Sequence, residues 1–161
     1  MMETEAIISF IQEILFLLVV FSFFLFFALK KGRQTVTNII LGLYLALLIS
    51  IEFPFYETII NSSSAAAESV IRLIIFGVFA FVSTWLYTRI LPREYDESAF
   101  EGFWSKLLLA AAGTILVMIY SYHVLPVTEF ITPGSPINYL FGSEQSFFWW
   151  LMIPIAILFF V

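Results

Sequence analysis

The stretch Leu29-Lys30-Lys31-Gly32-Arg33-Gln34-Thr35 constrains this chain most, because it sets three of the seven basic residues between two long apolar runs. The run before it, 7–29, spans roughly 35 Å as an α-helix, enough to cross the hydrocarbon core of a bilayer. The run after it, 36–53, is stopped or kinked by Pro54. Two such helices joined by a short basic turn carry the chain into a membrane and back to the side it came from.

Composition agrees. Of the 161 residues, 61% are hydrophobic and only 12% charged, and the mean hydropathy is +1.01. A water-soluble domain of this length needs a polar exterior that this chain does not have, so lipid must solvate much of its surface. There is no cysteine, which removes disulfides, thiolate metal sites and cysteine nucleophiles. The net charge of −5 comes without a polybasic run, so nucleic acid is not an expected partner.

Three further apolar stretches follow. A third helix is expected over 69–91, closed by Pro92, and a fourth over 106–125, closed by Pro126. The last stretch, 147–161, covers only about 22 Å as a helix and contains Pro154. It reads as a short fifth span, a re-entrant or interfacial helix, or a span cut short at Val161. Residues 56–68, 92–102 and 128–146 are rich in Ser, Pro, Gly and charge and read as loops, with a short interfacial segment at 137–141. Residues 1–6 lack the positive start of a cleaved signal, and no small-residue cleavage site follows the first apolar stretch, so a cleaved signal peptide is not expected. The expectation is an all-α polytopic bundle of four to five transmembrane helices, forming one domain over 1–161.

Orientation follows from charge. Lys30, Lys31 and Arg33 lie between the first two helices, and Arg89, Arg93 and Lys106 flank the third and fourth. The loops 56–68 and 126–146 hold no Lys or Arg. The positive-inside rule makes the basic side cytoplasmic and sets the amino terminus outside, with Trp149 and Trp150 at the outer interface.

On that topology Glu13, Glu52, Arg72 and His123 all fall in the outer part of the membrane. A charge in hydrocarbon costs about 2.5–3.5 kcal/mol on insertion scales, so such groups pair, line water or snorkel to the surface. Arg72 is the basic residue of that side, with Glu13 and Glu52 as intramembrane partners and Glu68, four residues before it, as a local one. Functionally this is a polar vestibule for an ion, proton or small solute; structurally it is an ion pair. His123, beside Tyr120 and Tyr122, fits an interfacial anchor better than a base or a metal ligand.

Small residues form a second pattern. Gly42, Ala46 and Ser50 recur every four positions on one face of the second helix, Gly77, Ala80 and Thr84 share a face of the third, and 110–114 is a small-residue block in the fourth. Such faces let membrane helices approach closely, within a subunit or between subunits. Glu94, Asp96, Glu97 and Glu101 read as a solvated acidic loop. No dinucleotide fingerprint, P-loop or zinc-protease pattern occurs, so no catalytic residue, cofactor or metal is implied. The sequon Asn61-Ser62-Ser63 would matter only in a eukaryotic secretory setting.

The order of these features resembles the colicin V production protein family of small bacterial inner-membrane proteins. Lys31-Gly32-Arg33 stands where that family has a basic residue, a glycine and a nearby arginine, and the likeness runs from about Leu15 through the fourth helix. The family's repeated glycines near the start of the fourth helix are absent, since Gly102 and Gly113 are too far apart, and the apolar carboxyl end also departs from its pattern. The resemblance implies a link to toxin production or envelope homeostasis and carries over no site residues. Two functions are therefore expected: an accessory or scaffold subunit meeting other membrane proteins, or a small oligomeric channel or transporter.

Overall fold

The computed structural model describes residues 2–60, 65–91, 102–123, 140–141 and 143–161. They form α1 (Met2–Lys31), α2 (Arg33–Ile51), the short α3 (Tyr56–Ile60), α4 (Ala65–Ile90), α5 (Phe103–His123) and α6 (Glu144–Phe160), with no strand among the described residues. Helices α1, α2, α4 and α5 are each long and apolar enough to cross a membrane. The chain is an all-α membrane-embedded bundle.

The helices outrun the apolar stretches that mark them. Helix α1 begins at Met2 rather than 7, α2 at Arg33 rather than 36, α4 at Ala65 rather than 69, and α6 at Glu144 rather than 147. Hydropathy marks where lipid ends, whereas a helix continues until Gly, Pro or a competing side chain breaks its ladder. Ala65-Ala66-Ala67, the best helix formers, extend α4 into what reads as loop. The same stretch, 56–68, also holds α3. Helix α5 begins at Phe103 rather than 106, and residues 124–125, where the fourth run was expected to end, lie outside the described residues.

The turn between α1 and α2 is a single residue. Gly32 has φ 87°, a left-handed conformation that a Cβ would strain, so glycine is what lets the chain reverse this tightly.

Helices α2 and α5 form the centre. Half of the apolar window of α5 is buried and 39% of that of α2, against 11% each for α1 and α4. The core consists of Val36, Ile40, Ala46 and Leu47 from α2 with Leu109, Ala112, Leu116 and Ile119 from α5, joined by Phe24 and Ala28 of α1 and Phe76 of α4. Helix α4 packs on α2, and α1 and α6 pack on α5.

Two contacts close the helix pairs. Gly42 of α2 lies against Thr84 of α4 so closely that a Cβ on the glycine would sit 2.8 Å from both Cα and N of Thr84. Gly113 of α5 lies beneath the Phe24 ring of α1, whose atoms would meet such a Cβ at 2.6 Å. Without a hydrophobic force between helices in lipid, such close approaches supply the dispersion that holds them.

Helix α6 runs antiparallel along α2. The Tyr44 hydroxyl donates to the Leu151 carbonyl at 2.5 Å, and the Arg33 guanidinium donates to the Val161 carbonyl at 2.8 Å. Eleven residues of α2 and ten of α6 separate these points, about 16 and 15 Å of helix, so the registers match. Buried Pro154 lacks the N–H that would reach the Trp150 carbonyl. Neighbouring polar groups commonly support the backbone near such a proline, and Tyr44 does so one residue on.

Candidate functional site

Helix directions bring charges of one sign together. Phe53 packs edge-on against Phe79 at 5.4 Å while Gly42 meets Thr84, so α2 and α4 run antiparallel. With the tight turn at Gly32, this puts Lys30, Lys31 and Arg33 at the same end of the bundle as Arg89, which closes α4. Lys106, in the first turn of α5, joins them. Two of these cations also cover rings of their own helices: Lys30 lies 5.0 Å from the Phe26 centroid and Arg89 4.9 Å from that of Trp85. Arg93 and the acidic loop around it lie outside the described residues, as do 61–64 with their sequon.

At the opposite end Glu13, Glu52 and Arg72 are not bonded to one another among the described residues. Arg72 is bound locally: its Nη2 lies 2.8 Å from Oε1 of Glu68, its Nε 3.1 Å from the same oxygen, and its guanidinium stands 5.1 Å from the Tyr56 ring. The i,i+4 spacing puts Glu68 one turn before Arg72 on the same face, so this pair forms without help from another helix. Both side chains are more than a third exposed, which keeps the pair to at most about 1 kcal/mol. Glu52 caps the end of α2 and is exposed.

Tyr56 ties these elements into a clasp. Its hydroxyl and Ser50 Oγ are hydrogen-bonded at 2.7 Å, and its ring packs edge-on against Phe53 at 5.0 Å. Arg72 on its face completes a chain Ser50–Tyr56–Arg72–Glu68 that fastens α3 across the ends of α2 and α4.

Glu13 differs from the other three. It lies three residues inside the apolar stretch Phe10–Lys31 of α1 and is only 6% exposed, and neither carboxylate oxygen has a hydrogen-bond partner among the described residues. An unpaired carboxylate in hydrocarbon is costly, and such residues commonly belong to proton or ion pathways. His123 is the last residue of α5; its side chain lies outside the described residues.

The small-residue faces divide. Gly42, Ala46 and Ser50 are buried in the bundle; Thr84 of α4 meets Gly42, and Ala80 is partly buried against the core. Gly77 faces outward with nothing within 4 Å of where a Cβ would stand. Sequence reasoning passed over Asn38, a buried amide in α2 whose Oδ1 has no partner among the described residues. The signal was present, since Asn38 is the one amide side chain within the second apolar run. No protein-family model, curated protein or solved structure matches the chain.

Proposed function

We propose that this protein is a non-catalytic accessory or scaffold subunit of a membrane protein assembly, meeting its partners through the outer faces of α1 and α4. The observation that supports this is the open notch at Gly77. It lies on a face of α4 with Ile74, Val78 and Phe81 exposed around it, while the other small residues of the two faces are used inside the bundle. A partner helix can approach most closely where no side chain intervenes.

In this reading the basic end faces the cytoplasm, the amino terminus lies outside, and α6 crosses as a fifth span. A bacterial inner membrane and a role in toxin production or envelope homeostasis accompany it through the family resemblance.

The test is the mass and composition of the particle extracted from native membranes in mild detergent. Stoichiometric partners that are lost with Gly77→Leu, while the bundle stays folded, support the subunit. A homo-oligomer or a bare monomer overturns it.

A second reading, a small oligomeric channel or transporter, is favoured by one observation, the unpartnered carboxylate of Glu13. Its test is flux into liposomes holding the purified protein. Proton or ion flux abolished by Glu13→Gln supports it, and silence of both proteins removes it.

A further inference from the structure

Helix α4 carries one cation near each end of its exposed apolar face, Arg72 and Arg89, 17 residues and about 25 Å apart along the helix. Leu73, Ile74, Val78, Phe81, Val82 and Trp85 are exposed between them. Arg72 bends back one turn to Glu68, 2.8 Å away, and Arg89 bends back one turn over Trp85, 4.9 Å from the ring centroid. Both side chains reach toward the start of α4, so their charges stay about as far apart as their Cα atoms. At the basic end that direction leads into the apolar band and not out toward water. Lys30 of α1 does the same over Phe26. Outward snorkelling, by which a short apolar stretch serves a thicker bilayer, is therefore not what these cations do. Any tilt of α4 lowers the band further, so about 25 Å is the most this helix allows.

Three other helices give a similar height. On α1 the exposed amide of Gln12 lies 18 residues before Lys30, about 27 Å. Ile7, Ile8, Phe10 and Ile11 beyond it fall in the headgroup layer, roughly 5–7 Å deep on each side of a bilayer. On α5, 17 residues separate Lys106 from His123, the last residue of the helix. Helix α6 has an apolar stretch of only 15 residues, 146–160, about 22 Å long, and the bond from Arg33 to the Val161 carbonyl holds its end at the basic side. A hydrocarbon core of ~30 Å leaves α6 too short to cross and draws the Arg72 and Arg89 charges into lipid. A core of about 25 Å accommodates all four helices.

We propose that the lipid-facing band of this protein is about 25 Å high, so that the molecule fits a bilayer of short acyl chains and thins one of ordinary thickness around itself. The partner of the band is the acyl region of the phospholipid, selected by chain length and not by headgroup. In such a bilayer α6 crosses completely, which its length does not allow in a thicker one. Neither the subunit nor the channel reading is needed for this match.

The full chain is reconstituted in bilayers of myristoleoyl, palmitoleoyl, oleoyl or erucoyl phosphatidylcholine, and its thermal unfolding is followed in each. The melting temperature is expected to peak in the palmitoleoyl bilayer. The folded-to-unfolded ratio should be roughly tenfold lower in the erucoyl bilayer, since each Å of mismatch costs a fraction of a kcal/mol. Arg72→Leu combined with Arg89→Leu removes the charges that bound the face of α4 and should move the peak to longer chains. A peak in any other bilayer, or no dependence on chain length, overturns the match. An unmoved peak in the folded double variant overturns the assignment of the limits to these charges. If the double variant does not fold, the wild-type series decides.

Discussion

Gly42 and Thr84 touch backbone to backbone: a Cβ on the glycine would lie 2.8 Å from both N and Cα of Thr84. That distance cannot be relieved by turning a side chain, so α2 and α4 would have to separate. Gly42→Leu is expected to destabilise the bundle by about 3 kcal/mol, the upper range for overpacking. Gly77→Leu, on the same helix pair but facing open space, should change stability by less than about 0.5 kcal/mol. Melting of both variants in detergent checks this. Equal losses would show that the small residues act through helix flexibility and not through contact.

Gly113 and Phe24 predict a coupled pair. Gly113→Ala forces the buried Phe24 ring aside and should cost about 1–3 kcal/mol. Phe24→Leu makes room for the methyl group, so the double variant should be more stable than the two single losses add up to. A double-mutant cycle measured by reversible unfolding gives the coupling directly, and additive losses would contradict the contact.

Glu13 offers a test in which stability and function move in opposite directions. Glu13→Leu removes an unpartnered buried carboxylate and should raise stability by about 1–3 kcal/mol. A more stable protein that no longer functions marks Glu13 as functional. A less stable one would mean that the carboxylate has a partner in the assembled protein.

Arg72→Ala should lower stability by no more than about 1 kcal/mol, because its Glu68 partner lies on its own helix and both are well exposed. Tyr56→Phe removes the hydrogen bond to Ser50 and should cost a similar amount, about 0.5–1.5 kcal/mol. If Arg72→Ala abolishes activity at normal protein level, the clasp is more than a fastening.

The cysteine-free chain allows the path of α6 to be followed with single introduced thiols. Because Val161 is held at Arg33 while Leu151 is held at Tyr44, Ser143→Cys and Val161→Cys should react with impermeant reagents from opposite sides of the membrane. Labelling of both from one side would make α6 re-entrant. Tyr44→Phe should loosen the helix by about 1 kcal/mol, read as faster labelling near Leu151.

The sequence by itself determined the class of molecule and the order of its spans. Apolar runs of membrane length are a local property, and lipid selects helices because every backbone group must be satisfied within its own segment. The gathering of Lys30, Lys31, Arg33, Arg89 and Lys106 at one end follows from counting spans, so it too was legible. Tertiary structure decided which small residues meet: Gly42 and Gly77 look alike in sequence, yet one touches a neighbouring backbone and the other faces out. It also kept Arg72 with Glu68, left Glu13 buried without a partner among the described residues, and placed Asn38 beside Arg33 and Leu158 in one cavity. Those outcomes depend on how each helix turns about its axis. That rotation is set by contacts between residues far apart in the chain, which a run of hydropathy does not encode.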